Sequence, residues 1–404
     1  MDDEKAVDWS SLPLELWSKI GKYLDNRIEI LRFRSVCKSW RSSLPNSPSS
    51  SSSSSPLTIP HPFIPNYINP CFLNLTTIYL LQPTHPSSPS SSNGFLIKVS
   101  ESENPPSYLL SPISGRRVLW MIRDRYHHPV HPQILRRRDL GALSPPPVSV
   151  VWNLLDYRVF EVSKSYSIRS GFSSDVSKVV FFHNSGWRHV EEEEDSSVAC
   201  CVFKEGRLGL MKHGDEKWSW SLLDDKNFYC DDVIVFKGQF YVTDKWGTIS
   251  WFDISSYKLV QYSPPLCGFG NKKHLVESCG SLYVVDRYYV SEPSTTKWRY
   301  VNGVNTRVAP VECFKVYKLD EELGTWVNVN DLGDRVFILG NNCNFSISAK
   351  DVRGYQGNCI YFNDLFDSIY VRMYNLQDAS IITIELDPTR KKVAEEIRGS
   401  VPED

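Results

Sequence analysis

The sequence predicts a mainly β protein that begins with a small α-helical module. Apolar residues near the N-terminus have helical spacing, whereas short apolar runs bounded by Pro, Ser and Gly follow from residue 57 onward. A glycine, tyrosine and aspartate pattern also recurs after about 40 residues, which is typical of propeller blades. We therefore expect three helices followed by a β-propeller of six or seven blades, at about 40–50 residues per blade.

The helical module is predicted from leucine and isoleucine residues that recur every four positions and so line one side of a helix. Pro13 is tolerated in the first turn of this helix. A second helical run follows a break at Asp25 and Asn26, and a third run ends the module. The apolar positions of the three runs are Leu12, Leu16, Ile20 and Leu24, then Ile28 and Leu31, then Val36, Cys37 and Trp40.

This stretch resembles an F-box, the module by which substrate receptors dock on the Skp adaptor of a cullin-RING ubiquitin ligase. The resemblance lies in the Leu12-Pro13 opening and the closing run Val36-Cys37-Lys38-Ser39-Trp40-Arg41. It implies that Trp40 belongs to the core of the module. It also implies an adaptor-binding set of Leu12, Pro13, Leu16, Ile20, Leu24, Leu31, Val36 and Cys37. The alternative is that these residues only form the core of a helical cap.

Composition divides the chain into three parts. Residues 8–44 are predicted to form the F-box, and residues 45–56 are a Ser/Pro-rich linker without side chains to bury. Residues 57–404 are predicted to form a propeller-like substrate-recognition domain. The strands from Tyr370 to Leu386 are expected to pair with the early strands, because ring closure removes open sheet edges.

A weak internal repeat supports the propeller prediction. Each glycine is expected in a hairpin turn, and the aromatic residue after it is expected to pack between blades. Two copies share one spacing, and a third is looser: Gly238–Tyr241–Asp244, Gly280–Tyr283–Asp286, and Gly357 with Tyr361.

The strand-like region is similar to the plant F-box proteins of the SKIP type. The similarity is carried by Asp232–Tyr241, His274–Gly280, Phe314–Leu319 and Gly357–Phe362. It implies that the C-terminal domain is a propeller. Together with the F-box, the resemblance covers nearly the whole chain and is weakest from Leu119 to Pro147.

Charge and cysteine content limit the functions and cellular locations that we expect for this protein. The net charge of −2 argues against a general role on nucleic acids or membrane surfaces. No run of apolar residues reaches the length of a transmembrane helix, and no signal peptide is visible. The ten cysteines are scattered without a CxxC pair, which indicates reduced thiols. We expect a nuclear and/or cytoplasmic protein.

Motifs for catalysis, metals and cofactors are not found in the sequence. The histidine group His127-His128-x-x-His131 is interrupted by Pro129 and followed by Pro132, which exclude the helix that a shared metal would need. The glycine patterns of dinucleotide sites, phosphate-binding loops and nucleophile elbows are absent. The sequence predicts no catalytic residues, no metal and no cofactor, and hence a protein that is not an enzyme.

Two functions from different classes remain. The first is a substrate receptor that binds the Skp adaptor through the F-box and an unknown protein target through the propeller. Candidate target-binding residues on the loops between blades are Trp246, Arg287, Tyr288, Trp298 and Arg299, because Trp, Tyr and Arg often anchor interfaces; packing between blades explains each of them equally well. The second is a propeller enzyme or small-ligand-binding protein with an accessory helical module. Perturbed acids or histidines at the mouth of the propeller would favour this second function.

Overall fold

The protein is described from a computed structural model. The description covers residues 13, 16–17, 19–20, 27–43, 57–59, 71–84, 94–101, 108–113, 157–169, 176–183, 197–203, 206–213, 218–223, 229–254, 256, 258–301, 304–340, 342–363 and 371–384. Two α-helices have defined bounds there, α1 (Arg27–Val36) and α2 (Lys38–Ser43). Residues 16, 17, 19 and 20 are also helical, but a third helix has no bounds among the described residues. The three-helix count is therefore not confirmed.

A nine-stranded antiparallel sheet forms the first part of the β domain. Its order is β4-β3-β2-β5-β6-β7-β8-β9, with β1 also paired to β2. The two halves of the sheet join at a single residue pair, Tyr166 with Val179. Its strands are β1 (Leu57–Ile59), β2 (Cys71–Pro83), β3 (Phe95–Glu101), β4 (Tyr108–Leu110), β5 (Tyr157–Arg169), β6 (Val176–His183), β7 (Ser197–Phe203), β8 (Leu208–His213) and β9 (Trp218–Leu222).

The next two sheets are four-stranded antiparallel meanders, the second of which is interrupted by a two-stranded hairpin. The first meander contains β10 (Cys230–Phe236), β11 (Gln239–Asp244), β12 (Ile249–Asp253) and β13 (Lys258–Gln261). The second contains β14 (Lys272–Ser278), β15 (Ser281–Tyr289), β18 (Val311–Asp320) and β19 (Thr325–Val329). The inserted hairpin is β16 (Lys297–Val301) with β17 (Val304–Val308).

The last sheet has five strands in the order β21-β20-β22-β23-β24, and β20 and β22 run parallel. Its strands are β20 (Arg335–Leu339), β21 (Asn344–Ser348), β22 (Cys359–Asn363), β23 (Val371–Asn375) and β24 (Ile381–Ile384). The expected pairing of the C-terminal strands with the early strands is wrong, since β23 and β24 pair within this sheet.

Two of the repeated glycines lie in tight hairpin turns, as the sequence predicts. Lys237 and Gly238 connect β10 to β11, and Cys279 and Gly280 connect β14 to β15. All four residues have positive φ, between 46° and 75°. Two-residue turns of this kind match the twist of the strands and favour glycine. Gly357 differs, because it precedes β22 without a positive φ.

Five core clusters of described residues connect the sheets into a ring. In turn they join β1, β2 and β5 to β6–β8, β7 and β8 to β10–β12, and β10–β12 to β14 and β15. The next joins β14, β15 and β18 to the last sheet, and the fifth returns from the last sheet to β2 and β3. A parallel bridge between Gly94 and Val352 adds to this closure.

The architecture is thus mainly β and propeller-like. The described residues contain four sheets of four or more strands, so six or seven blades are not confirmed. The innermost strands β6, β10, β14 and β21 begin at the same end of the ring, since polar contacts join residues near their starts. We name this the upper end. The Lys237-Gly238 and Cys279-Gly280 turns lie at the other, lower end.

Candidate functional site

The helical module has a small aromatic core. The Trp17 and Phe33 side chains are buried, and the centroid of the Trp40 ring lies 4.0 Å from Trp17 and 4.5 Å from Phe33. Pro13 accepts a hydrogen bond from the Leu16 amide at 3.0 Å, as expected in a first helical turn. Trp40 therefore belongs to the core of the module, as the resemblance implies.

Three aliphatic side chains of the module are left outside this core. Leu16 is 41% exposed, Ile20 39% and Val36 59%. Leu16 and Ile20 lie four residues apart in helical backbone and so on the same side of it. Exposed large apolar side chains such as these are candidates for contact with another protein. We call these three residues the aliphatic surface.

The other predicted adaptor-binding residues are placed as follows. Pro13 is exposed and Cys37 is half-buried. Leu31 lies on α1, but its side chain is outside the described residues, as are Leu12 and Leu24 altogether.

The helical module contacts the ring near its lower end. Arg32 on α1 donates a hydrogen bond to the backbone carbonyl of Tyr157, the first residue of β5. Because β5 runs antiparallel to β6, its first residue lies at the lower end. The upper end is then on the other side of the ring from this contact.

A buried carboxylate ties the innermost strands together near the upper end. Asp232 forms an ion pair of 2.6 Å with Lys178 and accepts hydrogen bonds from the Leu275 amide at 2.8 Å and the Asn344 side chain at 2.7 Å. These partners come from β6, β14 and β21, so a single side chain on β10 connects four innermost strands. Sequence reasoning missed this residue, because nothing local distinguishes it from its neighbour Asp231.

A second buried ion pair supports a loop at the upper end. Lys273 and Asp286 are fully buried and 2.8 Å apart. The Lys273 ammonium also donates to the carbonyls of Gly268 and Gly270. An added Cβ at Gly270 would come within 2.0 Å of the Asp286 carboxylate, so this close approach requires glycine.

Exposed aromatic side chains gather at the upper end. Tyr229, Trp246 and Phe269 lie on the connections that lead into β10, β12 and β14, and Trp298 lies on the β16–β17 hairpin. Phe269 is 87% exposed and Trp298 70%. The three connections are in contact, since Lys245 donates to the Tyr229 carbonyl and Cys267 to the Trp246 carbonyl. We call these four residues the aromatic surface.

The predicted target-binding residues differ in their exposure to solvent. Trp246 and Trp298 are exposed, and Arg299 lies on β16 with its side chain outside the described residues. The expectation that Arg287 is on an exposed loop is wrong, because it lies buried on β15. Tyr288 also lies on β15 and is half-buried, and burial and the Asp286 carboxylate raise the pKa of its hydroxyl. The sequence analysis does not select Phe269 as a target-binding candidate, although its place between Gly268 and Gly270 indicates a loop.

Two titratable groups near the upper end, one on β10 and one on β14, have shifted pKa values. Burial raises the pKa of the Asp231 carboxyl to about 6. Burial, together with the positive charges of Arg287, Lys272 and Lys178, lowers the pKa of His274 well below its usual value.

The described part of the chain was not found to contain a metal site or a membrane-spanning helix. It contains no group of three or more His, Cys, Asp or Glu side chains placed to hold a metal ion. None of its helices has the length and apolar character needed to cross a membrane. All ten cysteines are free, and burial raises the pKa of the Cys200 thiol to about 12.

Comparisons with known proteins agree with this architecture. The KIB1-4 beta-propeller family model matches residues 72–382, and the F-box-like model matches residues 9–46. Among solved structures, the WD40 domain of SCAP from fission yeast aligns with a TM-score of 0.22 at 8% identity, over 76% of this chain and 65% of that one. This likeness is too low to support an argument.

Curated relatives from Arabidopsis thaliana align over most of the chain. F-box protein SKIP23 is 29% identical over 379 residues, which cover 88% of this chain and 84% of the relative. F-box protein At2g17036 is 28% identical over 86% of this chain and 80% of the relative. Putative F-box protein At1g65770 is 29% identical over 94% of each. The chain therefore belongs to the KIB1-4 beta-propeller family and carries an F-box-like domain before the propeller.

Proposed function

We propose that this protein is the substrate-binding subunit of an SCF-type (Skp-cullin-F-box) ubiquitin ligase. The F-box helices dock on the Skp adaptor, and the propeller binds a target protein so that other subunits ubiquitinate it for degradation. The match of residues 9–46 to the F-box-like model supports this proposal. The protein itself carries out no catalytic step and needs no cofactor, and it acts in the nucleus and/or cytoplasm.

The observation that carries the proposal is the aliphatic surface beside a closed aromatic core. The tryptophans and Phe33 already fill the inside of the module, so Leu16, Ile20 and Val36 are left to contact a partner. Burial of such side chains contributes about 1.5–3 kcal/mol each. We infer that Leu12, Pro13, Leu24, Leu31 and Cys37 extend the same surface, and that a third helix completes the module.

Target binding is proposed at the upper end of the ring. The aromatic surface lies there, and tryptophan and tyrosine are enriched among the residues that dominate interface energies. Since the helical module contacts the lower end, both partners can be held at once. A propeller of six or seven blades would present these loops as a ring around a central axis.

The adaptor-binding step is tested by changing the aliphatic surface. Val36→Asp places a charge where an apolar contact is proposed, and we expect it to reduce co-precipitation of the Skp adaptor more than tenfold. Leu12→Ala combined with Pro13→Ala should have the same effect. The matched control is Ser39→Asp, an exposed change on α2 that should leave binding intact.

Circular dichroism of each variant checks that the fold is kept. Undiminished adaptor binding by folded Val36→Asp and by the Leu12/Pro13 variant would contradict the proposal.

The second function class, a propeller that binds a small ligand, is favoured by one observation. His274, whose pKa is lowered, lies beside Arg287 on the β14–β15 hairpin.

A further inference from the structure

Arg287 is a buried cation that has no anionic partner among the described residues. It is 7% exposed, and none of the ion pairs of the described residues involves it. Its guanidinium carbon lies 5.2 Å from the Phe314 ring centroid and 5.4 Å from that of Phe362. Its Nε atom has no hydrogen-bond partner, and its Nη1 atom is 3.5 Å from the Tyr289 hydroxyl. A buried charge is normally paired, because its loss of hydration is costly.

His274 lies beside Arg287 on the same face of the β14–β15 hairpin. Lys272 pairs with Arg287 and His274 pairs with Val285, so these four side chains project to one side. His274 is also 7% exposed, and its Nε2 atom has no hydrogen-bond partner. Two buried side chains on this face, Arg287 and His274, therefore each have a nitrogen atom without a hydrogen-bond partner.

The nearby carboxylates are engaged by other groups. Asp232 accepts from Lys178, from the Val233 and Leu275 amides and from Asn344. Asp286 pairs with Lys273 on the opposite face of the hairpin, and Asp231 accepts from the Lys273 amide. Burial lowers the pKa of His274, and so do the positive charges of Arg287, Lys272 and Lys178, of which Lys178 is paired with Asp232. The position thus combines positive charge with free donors.

We propose that Arg287 and His274 form a binding position for an oxyanion, a carboxylate or a phosphate group, near the upper end of the ring. The guanidinium matches the fork of two oxygen atoms, and the imidazole donates from Nε2. The oxyanion comes either from a free anion or from an acidic group on a bound protein. The second source rests on the proposed function, whereas the first does not.

The test uses the full-length protein and inorganic phosphate. Isothermal titration should show one saturable site, and Arg287→Met should weaken phosphate binding more than tenfold, because a charge-assisted hydrogen bond is lost. His274→Gln should weaken it less. Arg353→Met, which changes an exposed arginine, is the matched control and should bind as the original protein does.

Folding is checked by thermal unfolding. Arg287→Met should unfold at the same or a higher temperature without phosphate, because it removes an unpaired buried charge. Phosphate should raise the unfolding temperature of the original protein and of Arg353→Met, but not of Arg287→Met. Acetate at equal ionic strength tests whether a carboxylate is also accepted.

The two sources are separated by ion chromatography of anions released when the purified protein is denatured. If the original protein releases one anion per chain and Arg287→Met releases none, the site holds a free anion. An empty protein that still binds phosphate saturably identifies a site for a group carried by a partner. If no anion is released and neither phosphate nor acetate binds saturably, or if Arg287→Met binds equally well, the proposal is overturned. Adaptor binding does not enter any of these measurements.

Discussion

At the scale of single residues, the interior near the upper end contains several buried charges whose partners differ. Asp232 and Lys178 are paired and nearly buried, whereas Lys237 and Glu321 form an exposed pair at 3.2 Å. Removing one partner of a buried pair leaves the other charge without compensation. Exposed pairs contribute little, because water screens them.

This contrast predicts different costs for two substitutions. Asp232→Ala should lower the free energy of unfolding by about 3–5 kcal/mol, because it leaves Lys178 buried and unpaired. Glu321→Ala should lower it by less than about 1 kcal/mol. Urea denaturation of both variants measures the difference. Equal effects of the two substitutions would show that Asp232 does not join the innermost strands.

Asp231 predicts a dependence of stability on pH. Its pKa is raised to about 6 in the folded protein, so the folded state keeps a proton that the unfolded chain has released at lower pH. The contribution of Asp231 is therefore lost as the pH rises from about 4 to about 6. Asp231→Asn should be more stable than the original protein by about 1–3 kcal/mol at pH 7 and equally stable at pH 4. Urea denaturation at both pH values tests this, and a gain that is the same at pH 4 and pH 7 would contradict it.

The sequence reveals some of these residues and not others, for a physical reason. The spacing of Asp244 and Asp286 after their glycines is visible, but their roles differ. Asp244 accepts hydrogen bonds from the amides of Trp246 and Thr248 in an exposed loop, whereas Asp286 is fully buried against Lys273. The sequence predicts Arg287 on an exposed loop, but Arg287 is buried against Phe362, which is distant in the sequence. Local patterns report spacing along the chain but not partners across the ring.

At the scale of elements, the hairpins are the part that the sequence predicts best. Gly280 has a φ of +75° with no atom within 4 Å of an added Cβ, so only the backbone conformation requires glycine there. Cys279 has a φ of +51°, which is unfavourable for most side chains. Asparagine tolerates this conformation better and is common in such turns.

This turn predicts substitutions of opposite sign. Gly280→Ala should destabilise the protein by about 1–2 kcal/mol, because alanine is strained in the left-handed region. Cys279→Asn should stabilise it by about 0.5 kcal/mol, because asparagine suits a type I′ turn. Ser281→Ala, just after the turn, is the control and should have little effect. Thermal unfolding of the three variants would contradict the argument if Gly280→Ala were neutral.

At the scale of the whole molecule, the sequence predicts a ring of β-sheets, but the predicted pairing of the C-terminal strands with the early strands is wrong. Strand runs and glycine turns are local features and are visible in a single sequence. The parallel pair of β20 and β22 and the packing of β2 and β3 on the last sheet join distant residues. Such non-local contacts decide how the ring closes, and the spacing of residues along the chain does not reveal them.

The arrangement of the ring also makes its two ends unequal. The aromatic surface lies at the upper end, and the helical module contacts the lower end at Tyr157. Leu323 is a large exposed apolar residue at the lower end, in the turn between β18 and β19. Leu323 can therefore serve as a control residue, because it is exposed and apolar but lies outside the aromatic surface.

The last prediction concerns target capture by the upper end. Trp246→Ala combined with Phe269→Ala removes two exposed anchors from the aromatic surface, and loss of such anchors typically costs about 2 kcal/mol or more each. We expect the double variant to lose the proteins that the original chain captures from proteasome-inhibited cells, and to retain the Skp adaptor. Leu323→Ala should retain both, since it changes only the opposite end. Capture of the same proteins by the double variant, or their loss with Leu323→Ala, would place target binding elsewhere on the ring.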